Sequence, residues 1–156
     1  MKKQTILVSA CLLGVCCRYD GESKPNEKVI KLRESYTLIP ICPEVDGGLP
    51  TPRIPSERIG DKVMMRDGKD VTENYRSGAE AALERARTFD CSFAILKARS
   101  PSCGSGDIYD GSFSGTLTKR DGVCAELLKK NGIEVYTEEE IDSFLEKTLD
   151  KSLLKS

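Results

Sequence analysis

The sequence contains no histidine and no tryptophan among its 156 residues. The absence of histidine excludes a Ser–His–Asp triad, a Cys–His catalytic pair, a histidine-ligated zinc ion and a haem held by a proximal histidine. Any nucleophile, acid, base or metal ligand must therefore come from cysteine, aspartate, glutamate, serine, lysine or tyrosine side chains, or from the backbone.

Net charge and long apolar runs are also lacking. Lysine and arginine total 24 against 25 aspartates and glutamates, so the formal net charge is −1, which gives no electrostatic signature of nucleic-acid or anionic-membrane binding. No apolar run approaches the roughly 18 residues that span a bilayer. Lys2 and Lys3 precede an apolar stretch ending at Cys11, but a secretory signal needs about 7–15 apolar residues and this stretch is shorter. We therefore expect a cytoplasmic protein that binds neither nucleic acid nor a membrane.

Four short apolar runs predict β-strands. Three of them are unbroken rather than alternating, which is typical of strands covered on both faces in a parallel sheet. The runs are Thr5–Ser9, Thr37–Ile41, Ser92–Leu96 and Ile133–Tyr136.

Helical patterns lie between and after these runs. Thr72 is a candidate cap for one helix, Asp121 for a second, and Thr137 with Glu140 forms a capping-box pattern ahead of a third. The alternation of strands and helices predicts a single α/β domain over residues 1–156, with three layers and a mostly parallel, Rossmann-like sheet.

Two segments rich in proline or glycine interrupt this pattern. Residues 51–70 are predicted to form a long structured loop with a short hairpin, and residues 100–118 a second loop that contains four glycines. Because loops longer than about 12–15 residues in a compact domain are usually functional, we expect both to contribute to a site. Residues 147–156 are expected to be a helix end that frays.

The cysteines suggest where that site lies. There are seven, an odd number that argues against a disulfide scaffold and for reduced thiols or a metal site. Cys11, Cys42 and Cys103 each follow a predicted strand, and ligands of open α/β sheets bind beyond the carboxyl ends of the strands. Cys91 precedes its strand, and Cys124 falls on the apolar stripe of a helix, so both fit buried structural thiols.

The spacing of these three cysteines matches no compact ligand motif, so three ordinary buried thiols and a metal site both stay open. Cys16 and Cys17 lie in the loop after Cys11 and add two further thiols. Three thiolates suit zinc with a carboxylate or water as the fourth ligand. They also suit a [4Fe–4S] cluster with one open iron, which can act as a Lewis acid toward a substrate.

Six segments of the chain resemble the bacterial thiouracil desulfurase family. Four of them stand in the family's order, which makes the resemblance specific, and the resemblance covers nearly the whole chain. The segments are SACLLG at Ser9–Gly14, CRYDG at Cys17–Gly21, CPEVDGGLPTPR at Cys42–Arg53, SPSCG at Ser100–Gly104, YDGSFSGTL at Tyr109–Leu117 and GVCAELLKKNGIEVY at Gly122–Tyr136.

The resemblance implies a non-redox desulfuration of a thiolated pyrimidine, either a free base or a nucleotide, with release of hydrogen sulfide. It implies a [4Fe–4S] cluster on Cys11, Cys42 and Cys103, whose open iron binds the substrate sulfur. Glu44 is then expected to act as the general base for an attacking water, and Ser100 to hydrogen-bond the substrate or relay a proton.

Three further residues are candidates for substrate binding. Arg53 offers a cation, and Ser102 and Gly104 lie in the SPSCG segment. The stretch Gly104–Gly106 has the composition of a phosphate-binding nest, although glycine and serine also simply form turns.

Two other functions remain open from the sequence. One is a cluster-free sulfur carrier, in which Cys103 or Cys17 bears a persulfide. The other is a zinc-binding or redox-sensing module without catalytic activity.

Overall fold

The computed structural model describes residues 3–155. It contains eight strands and five α-helices. In chain order these are β1 Gln4–Ser9, α1 Glu27–Lys31, β2 Tyr36–Ile41, α2 Pro43–Asp46, β3 Ser56–Ile59, β4 Lys62–Met65, α3 Thr72–Thr88, β5 Phe93–Leu96, β6 Ile108–Tyr109, β7 Leu117–Thr118, α4 Val123–Lys130, β8 Glu134–Thr137 and α5 Ile141–Lys155. Short 3-10 helices cover Ala10–Leu13, Leu32–Glu34 and Glu138–Glu140.

The four apolar runs form one sheet in the order β2-β1-β5-β8. All neighbouring strands are parallel, with Ser9 paired to Ile41 and Leu96 paired to Thr137. The chain leaves β1 to one side for β2 and later returns to the other side of β1 for β5. The strand order therefore reverses between β1 and β5, which is where open α/β sheets bind ligands.

Helices cover both faces of the sheet. On one face, α3 and α4 bury residues such as Leu83 and Leu128 against the strands. On the other face, α1 and α5 contribute Val29 and Phe144, and the Phe144 ring packs edge-on against Phe93. β1 and β5 are covered on both sides, which explains their unbroken apolar sequences. The predicted three-layer α/β fold with a parallel, Rossmann-like sheet is confirmed.

The two interrupting loops contain small antiparallel hairpins. β3 pairs with β4 inside residues 51–70, and β6 pairs with β7 inside residues 100–118. The hairpin expected in the first loop is therefore present, and the second loop has a hairpin that the sequence analysis did not anticipate.

Two of the three predicted helix caps are wrong. Thr72 is the first residue of α3, and its Oγ1 accepts from the Val63 N–H at 2.9 Å instead of capping the helix. Gly122 rather than Asp121 precedes α4, and Asp121 accepts from the Gly106 N–H at 2.8 Å. In both places the side chain that the local sequence pattern assigned to a cap accepts a hydrogen bond from a residue outside the helix instead. The Thr137–Glu140 capping box is present.

Among the described residues, no helix combines the length and the apolar composition that crossing a membrane requires. The backbone of α5 continues to Lys155, whereas its side chains beyond Thr148 and all of Ser156 lie outside the described part of the chain. Fraying of residues 147–156 therefore stays a prediction.

α2 and α3 approach each other closely at two glycines. A methyl group on Gly78 would overlap the carbonyl oxygen of Pro43, and one on Gly47 would overlap the carbonyl oxygen of Asn74. Glycine at these positions lets the backbones touch. This contact fixes the short helix that carries Glu44 against α3.

We expect Gly78→Ala to lower the free energy of unfolding by about 1–3 kcal/mol, the usual cost of overpacking, even though alanine favours a helix. Chemical denaturation followed by circular dichroism measures the change. Ser77→Ala, at an exposed position of the same helix, is the control and should leave stability within about 0.5 kcal/mol. Equal stability of the Gly78→Ala variant and the parent would contradict the close contact.

Candidate active site

A cavity of about 660 Å³ opens at the carboxyl ends of β1, β2 and β5. Its volume is in the range of small-molecule binding sites. Both interrupting loops contribute to its wall, the first through residues such as Arg53 and Glu57 and the second through residues such as Ser100 and Phe113. The expected position at the strand-order reversal is therefore where the structure places the cavity.

Cys11, Cys42 and Cys103 all line this cavity. Cys11 lies in the 3-10 helix after β1, and Cys42 is the extended residue before α2. Cys103 follows a turn in which Ser100 Oγ accepts from the Cys103 N–H at 3.0 Å. Three distant parts of the sequence therefore bring their thiols to one site. These contacts do not test whether the three cysteines bind a metal, so their role as ligands stays a prediction.

Cys17 is a fourth thiol in the same place. It is buried, lines the cavity, and hydrogen-bonds with the thiols of Cys11 and Cys42. Its carbonyl oxygen lies 3.7 Å from Cys42 Sγ. Cys16 is exposed, and neither Cys91 nor Cys124 lines the cavity. The sequence placed Cys16 and Cys17 together in one loop, and only the fold separates them.

The surroundings of three of the cavity thiols disfavour their thiolate forms. Burial raises the pKa of Cys103 to about 12, and hydrogen bonding to Cys11 is the largest cause that raises the pKa of Cys17 to about 11. Hydrogen bonding to Cys17, followed by burial, raises the pKa of Cys42 far above its usual range. The raised pKa values favour the protonated thiols, so metal binding there would release protons.

Two serine hydroxyls accompany Cys103. Ser9 hydrogen-bonds the Cys103 side chain, and both Ser9 and Ser102 favour its thiolate form. Ser102 is completely buried, and its Oγ is the buried side-chain oxygen that lacks a well-formed hydrogen bond among the described residues. A buried hydroxyl without a partner is costly. An anionic sulfur at Cys103 would give it an acceptor, so the surroundings of Cys103 suit a metal-bound thiolate.

Glu44 lies in the first turn of α2 and is held from one side. Its Oε1 accepts from Arg53 Nε at 3.1 Å and from the Tyr75 hydroxyl at 2.9 Å. Its Oε2 accepts no hydrogen bond from the described residues, and the side chain is 17% exposed and lines the cavity. The carboxylate is therefore fixed through one oxygen while the other is free to meet water or a substrate.

Tyr75 was not recognised as a site residue. The sequence placed it on the apolar stripe of α3, and its ring is indeed fully buried. Its hydroxyl nevertheless reaches Glu44 at the cavity wall. Burial, with the Glu44 charge second, raises the pKa of Tyr75 well above its usual range, so it acts as a hydrogen-bond donor. A hydroxyl on an otherwise apolar stripe is the only sequence signal for this role.

Arg53 holds several segments of the site together. Its side chain is 3% exposed and, besides Glu44, it donates to the Cys17 carbonyl at 3.0 Å and to Pro50 and Thr51. The guanidinium is thus engaged within the protein. Its contacts show that Arg53 positions Glu44. The expected contact of Arg53 with substrate stays a prediction.

The SPSCG segment forms a tight turn. Ser100 lines the cavity, and its Oγ accepts from the N–H groups of Ser102 and Cys103. Gly104 is needed because a Cβ there would lie 2.7 Å from the Ser100 carbonyl oxygen. Its N–H donates to that same oxygen, and the Gly106 N–H donates to Asp121. Two of the three N–H groups of the possible phosphate nest at Gly104–Gly106 are therefore occupied by protein acceptors.

Within the described part of the chain, no three cysteine, aspartate or glutamate side chains converge on a single metal ion. A single zinc ion requires ligands around one point. A cubane cluster places each thiolate on a different iron, and its ligands consequently lie farther apart. The described cysteines of the cavity are therefore not gathered around one point as a single zinc ion requires.

Fold and site together define a small Rossmann-like α/β protein with a thiol-rich site at the strand-order reversal. The sequence model of the 2-thiouracil desulfurase family matches residues 6–140. The chain belongs to the 2-thiouracil desulfurase family, which confirms the resemblance found in the sequence.

Two relatives support this placement. The uncharacterized protein YbbK of Bacillus subtilis (strain 168) is 44% identical over 150 residues, covering 90% of this chain and 99% of YbbK. A solved structure of the [4Fe-4S]-dependent thiouracil desulfidase TudS is similar to this chain with a TM-score of 0.88 and 44% identity. That similarity covers 97% of this chain and 99% of TudS.

We expect Tyr75→Phe to lower the free energy of unfolding by about 1–2 kcal/mol, because it removes a buried hydrogen bond to a charged acceptor. Urea denaturation measures the loss. The control is Tyr36→Phe, at a buried tyrosine whose ring packs on Phe144 and whose hydroxyl has no hydrogen bond among the described residues. If both variants lost equal stability, the Tyr75 hydroxyl would contribute nothing specific.

Proposed function

We propose that this chain is a [4Fe–4S]-dependent desulfidase that converts 2-thiouracil, or a related thiolated pyrimidine base or nucleotide, to the oxo compound and hydrogen sulfide. The observation that carries the proposal is the cavity in which Cys11, Cys42 and Cys103 meet beside Glu44, in a chain 44% identical to the thiouracil desulfidase TudS. The family membership and the geometry support the same chemistry independently.

The chemistry of the donor set fits the cluster. The metal ligands that the cavity offers are soft thiol sulfurs and carboxylates, with no histidine. Iron–sulfur clusters are held by cysteine thiolates. The buried Ser102 hydroxyl, which lies next to the Cys103 side chain without a well-formed hydrogen bond, would gain a stronger acceptor when that sulfur is a thiolate. We assign the three ligands to Cys11, Cys42 and Cys103, with Cys17 as a neighbouring thiol that is not required.

A cluster on three thiolates supplies, when bound, an iron without a protein ligand that polarises the thiocarbonyl of the substrate. The net reaction replaces sulfur by oxygen. A C–O bond to water forms, the C–S bond breaks, and the sulfur leaves as hydrogen sulfide with both protons of the water. No atom changes oxidation state, so no electron donor or acceptor is needed.

Glu44 is the group that moves the proton. Oε2 is free at the cavity wall, whereas Oε1 is held by Arg53 and Tyr75. A carboxylate fixed in this way can take a proton from an attacking water without having to reorient. The same carboxyl group can then return the proton to the departing sulfur.

Ser100 is proposed to bind the substrate. Its Oγ already accepts two backbone N–H groups, so its own proton is left to donate. The hydroxyl lies at the cavity wall beside the turn that carries Cys103. It is therefore placed to donate to a ring atom or to charge that develops during the addition of water.

The cluster-free sulfur carrier is less compatible with the site. A cysteine that carries a persulfide must first be a reactive thiolate, and such cysteines have lowered pKa values in exposed, electropositive surroundings. Here Cys103 and Cys17 are only 5% and 8% exposed, and the pKa of each thiol is raised. The absence of disulfides among the seven cysteines is in keeping with a reducing, cytoplasmic setting.

Protein purified or reconstituted without oxygen should contain about four iron atoms and four acid-labile sulfides per chain. Cys11→Ser, Cys42→Ser and Cys103→Ser should each lose most of this content, because a ligand is removed. Colorimetric iron and sulfide assays with the visible spectrum measure it. No iron after reconstitution would overturn the proposal.

Two matched variants test the ligand assignment. Cys91→Ser, at a buried cysteine away from the cavity, should retain the cluster. Cys17→Ser should also retain it if Cys17 is only a neighbour. Loss of iron in Cys17→Ser together with retention in Cys103→Ser would replace Cys103 by Cys17 in the ligand set.

Glu44→Gln should keep the cluster and lose about a hundredfold or more in sulfide release from 2-thiouracil, the scale expected for loss of a general base. Glutamine preserves the shape and the hydrogen bond from Arg53 but cannot accept the proton. A methylene-blue sulfide assay measures the rate. Glu126→Gln, at a half-exposed carboxylate paired with Arg58 outside the cavity, is the control. Full activity of Glu44→Gln would disprove the assigned role.

A further inference from the structure

Phe113 has a backbone conformation that is unusual for its residue type. It lies in the connection between β6 and β7, and its φ of 55° is in the left-handed region. A bulky side chain is rarely found there, because its Cβ crowds the backbone. Such strain persists where the surroundings impose it, and it clusters at functional sites.

A buried carboxylate holds this conformation. Glu57, on β3, is 8% exposed, and its Oε1 accepts from the N–H groups of Gly111 and Phe113 at 2.9 and 3.1 Å. Glu57 thus connects the hairpin of the first loop to the hairpin of the second. Desolvating a carboxylate is costly, and here the two backbone donors compensate it and fix the position of Phe113.

The Phe113 ring is covered on one face and lines the cavity. The Arg66 guanidinium carbon lies 5.6 Å from the ring centroid, in a cation–π contact. The side chain lines the same cavity as Cys11, Glu44 and Ser100. Arg66 lines the cavity as well, so the guanidinium and the ring form one part of its wall, and the ring face that Arg66 does not cover is the one left for a flat occupant.

We propose that Phe113 is the aromatic surface on which the pyrimidine ring of the substrate stacks, with Glu57 and Arg66 holding it in place. The inference rests on the proposed function, because that function supplies a flat heterocycle as the occupant. Aromatic side chains bind bases through their π-faces without regard to the substituents. Phe113 would thus select for a planar ring and leave recognition of sulfur to the metal site.

The other aromatic side chains at the cavity are less suited to this role. Tyr19 and Tyr109 are 42% and 37% exposed and line its wall, and neither has a left-handed backbone. Tyr75 is fully buried and its hydroxyl is engaged by Glu44. Phe113 alone among these four combines a cavity-lining ring with a backbone held in place by a buried carboxylate.

The test uses cluster-loaded protein and two ligands. Uracil has no sulfur and probes the ring contact alone, by equilibrium dialysis; 2-thiouracil gives the KM. Phe113→Leu keeps apolar volume but has no π-face, and should weaken uracil binding and raise the KM by about 5- to 50-fold at unchanged iron content. Phe113→Tyr keeps the ring and should stay within about twofold of the parent.

Phe89→Leu is the matched control. Phe89 also has an arginine over its ring, Arg85 at 5.9 Å, but it is 46% exposed, follows α3 and does not line the cavity. This variant should bind uracil as the parent does. Equal uracil binding by Phe113→Leu and the parent, or no uracil binding by the parent, would overturn the inference.

The design separates this inference from the proposed function. Parent protein that binds uracil but releases no sulfide from 2-thiouracil would disprove the function, while a selective loss of uracil binding in Phe113→Leu would still support the stacking surface. Sulfide release from 2-thiouracil with equal KM values in the parent and Phe113→Leu would support the proposed function and disprove the stacking surface.

Glu57 offers a second, independent measurement. Glu57→Leu should weaken uracil binding as Phe113→Leu does and speed amide hydrogen exchange at Gly111 and Phe113 by tenfold or more, because both donors lose their acceptor. Glu57→Gln keeps an acceptor oxygen and should preserve binding. Combining Glu57→Leu with Phe113→Leu should add little to either variant alone. Full additivity would contradict the role of Glu57 in holding the ring.

Discussion

The buried contact between Arg53 and Glu44 connects the parts of the site that come from different regions of the chain. Arg53 Nε binds Glu44 Oε1, and another of its nitrogens donates to the Cys17 carbonyl. Its own N–H donates to the Tyr19 carbonyl at 2.7 Å. One side chain thereby positions the carboxylate, the segment of the fourth thiol and the start of the first loop. Removing either partner of such a pair leaves an uncompensated buried charge, which costs about 3–5 kcal/mol.

Hydrogen bonding of this kind also determines which polar groups of the cavity remain available to a ligand. Several charged groups of the wall are paired with other protein groups, as Lys97 is with Glu138 at 2.9 Å. Close to the thiols, three polar groups have bonding capacity left among the described residues: one oxygen of Glu44 and the proton of Ser100 at the cavity wall, and the buried Ser102 hydroxyl beside Cys103. These are the groups available to water, substrate or a thiolate. A site built this way is rigid before anything binds, which lowers the entropy cost of ordering it later.

Much of the architecture followed from the sequence because it depends on local periodicity. Four apolar runs, three of them unbroken, predicted the parallel strands, and the ends of three strands placed Cys11, Cys42 and Cys103 at one edge. Contacts between distant segments were not readable in this way. Tyr75 resembles any other residue of an apolar stripe until α3 is packed on α2. Thr72 and Asp121 resemble caps until Val63 and Gly106 compete for their oxygens.

The sequence by itself determined the fold class, the family and the edge of the sheet at which the site lies, because these depend on patterns along the chain and on motifs that can be compared. Only the tertiary structure decided which oxygen of Glu44 is free, that Cys17 and not Cys16 joins the thiols, and that Phe113 is held at the cavity by Glu57. Those outcomes depend on distances between residues far apart in the chain. Such distances are set by packing and by competition for hydrogen-bond partners, neither of which has a signature in the order of the amino acids.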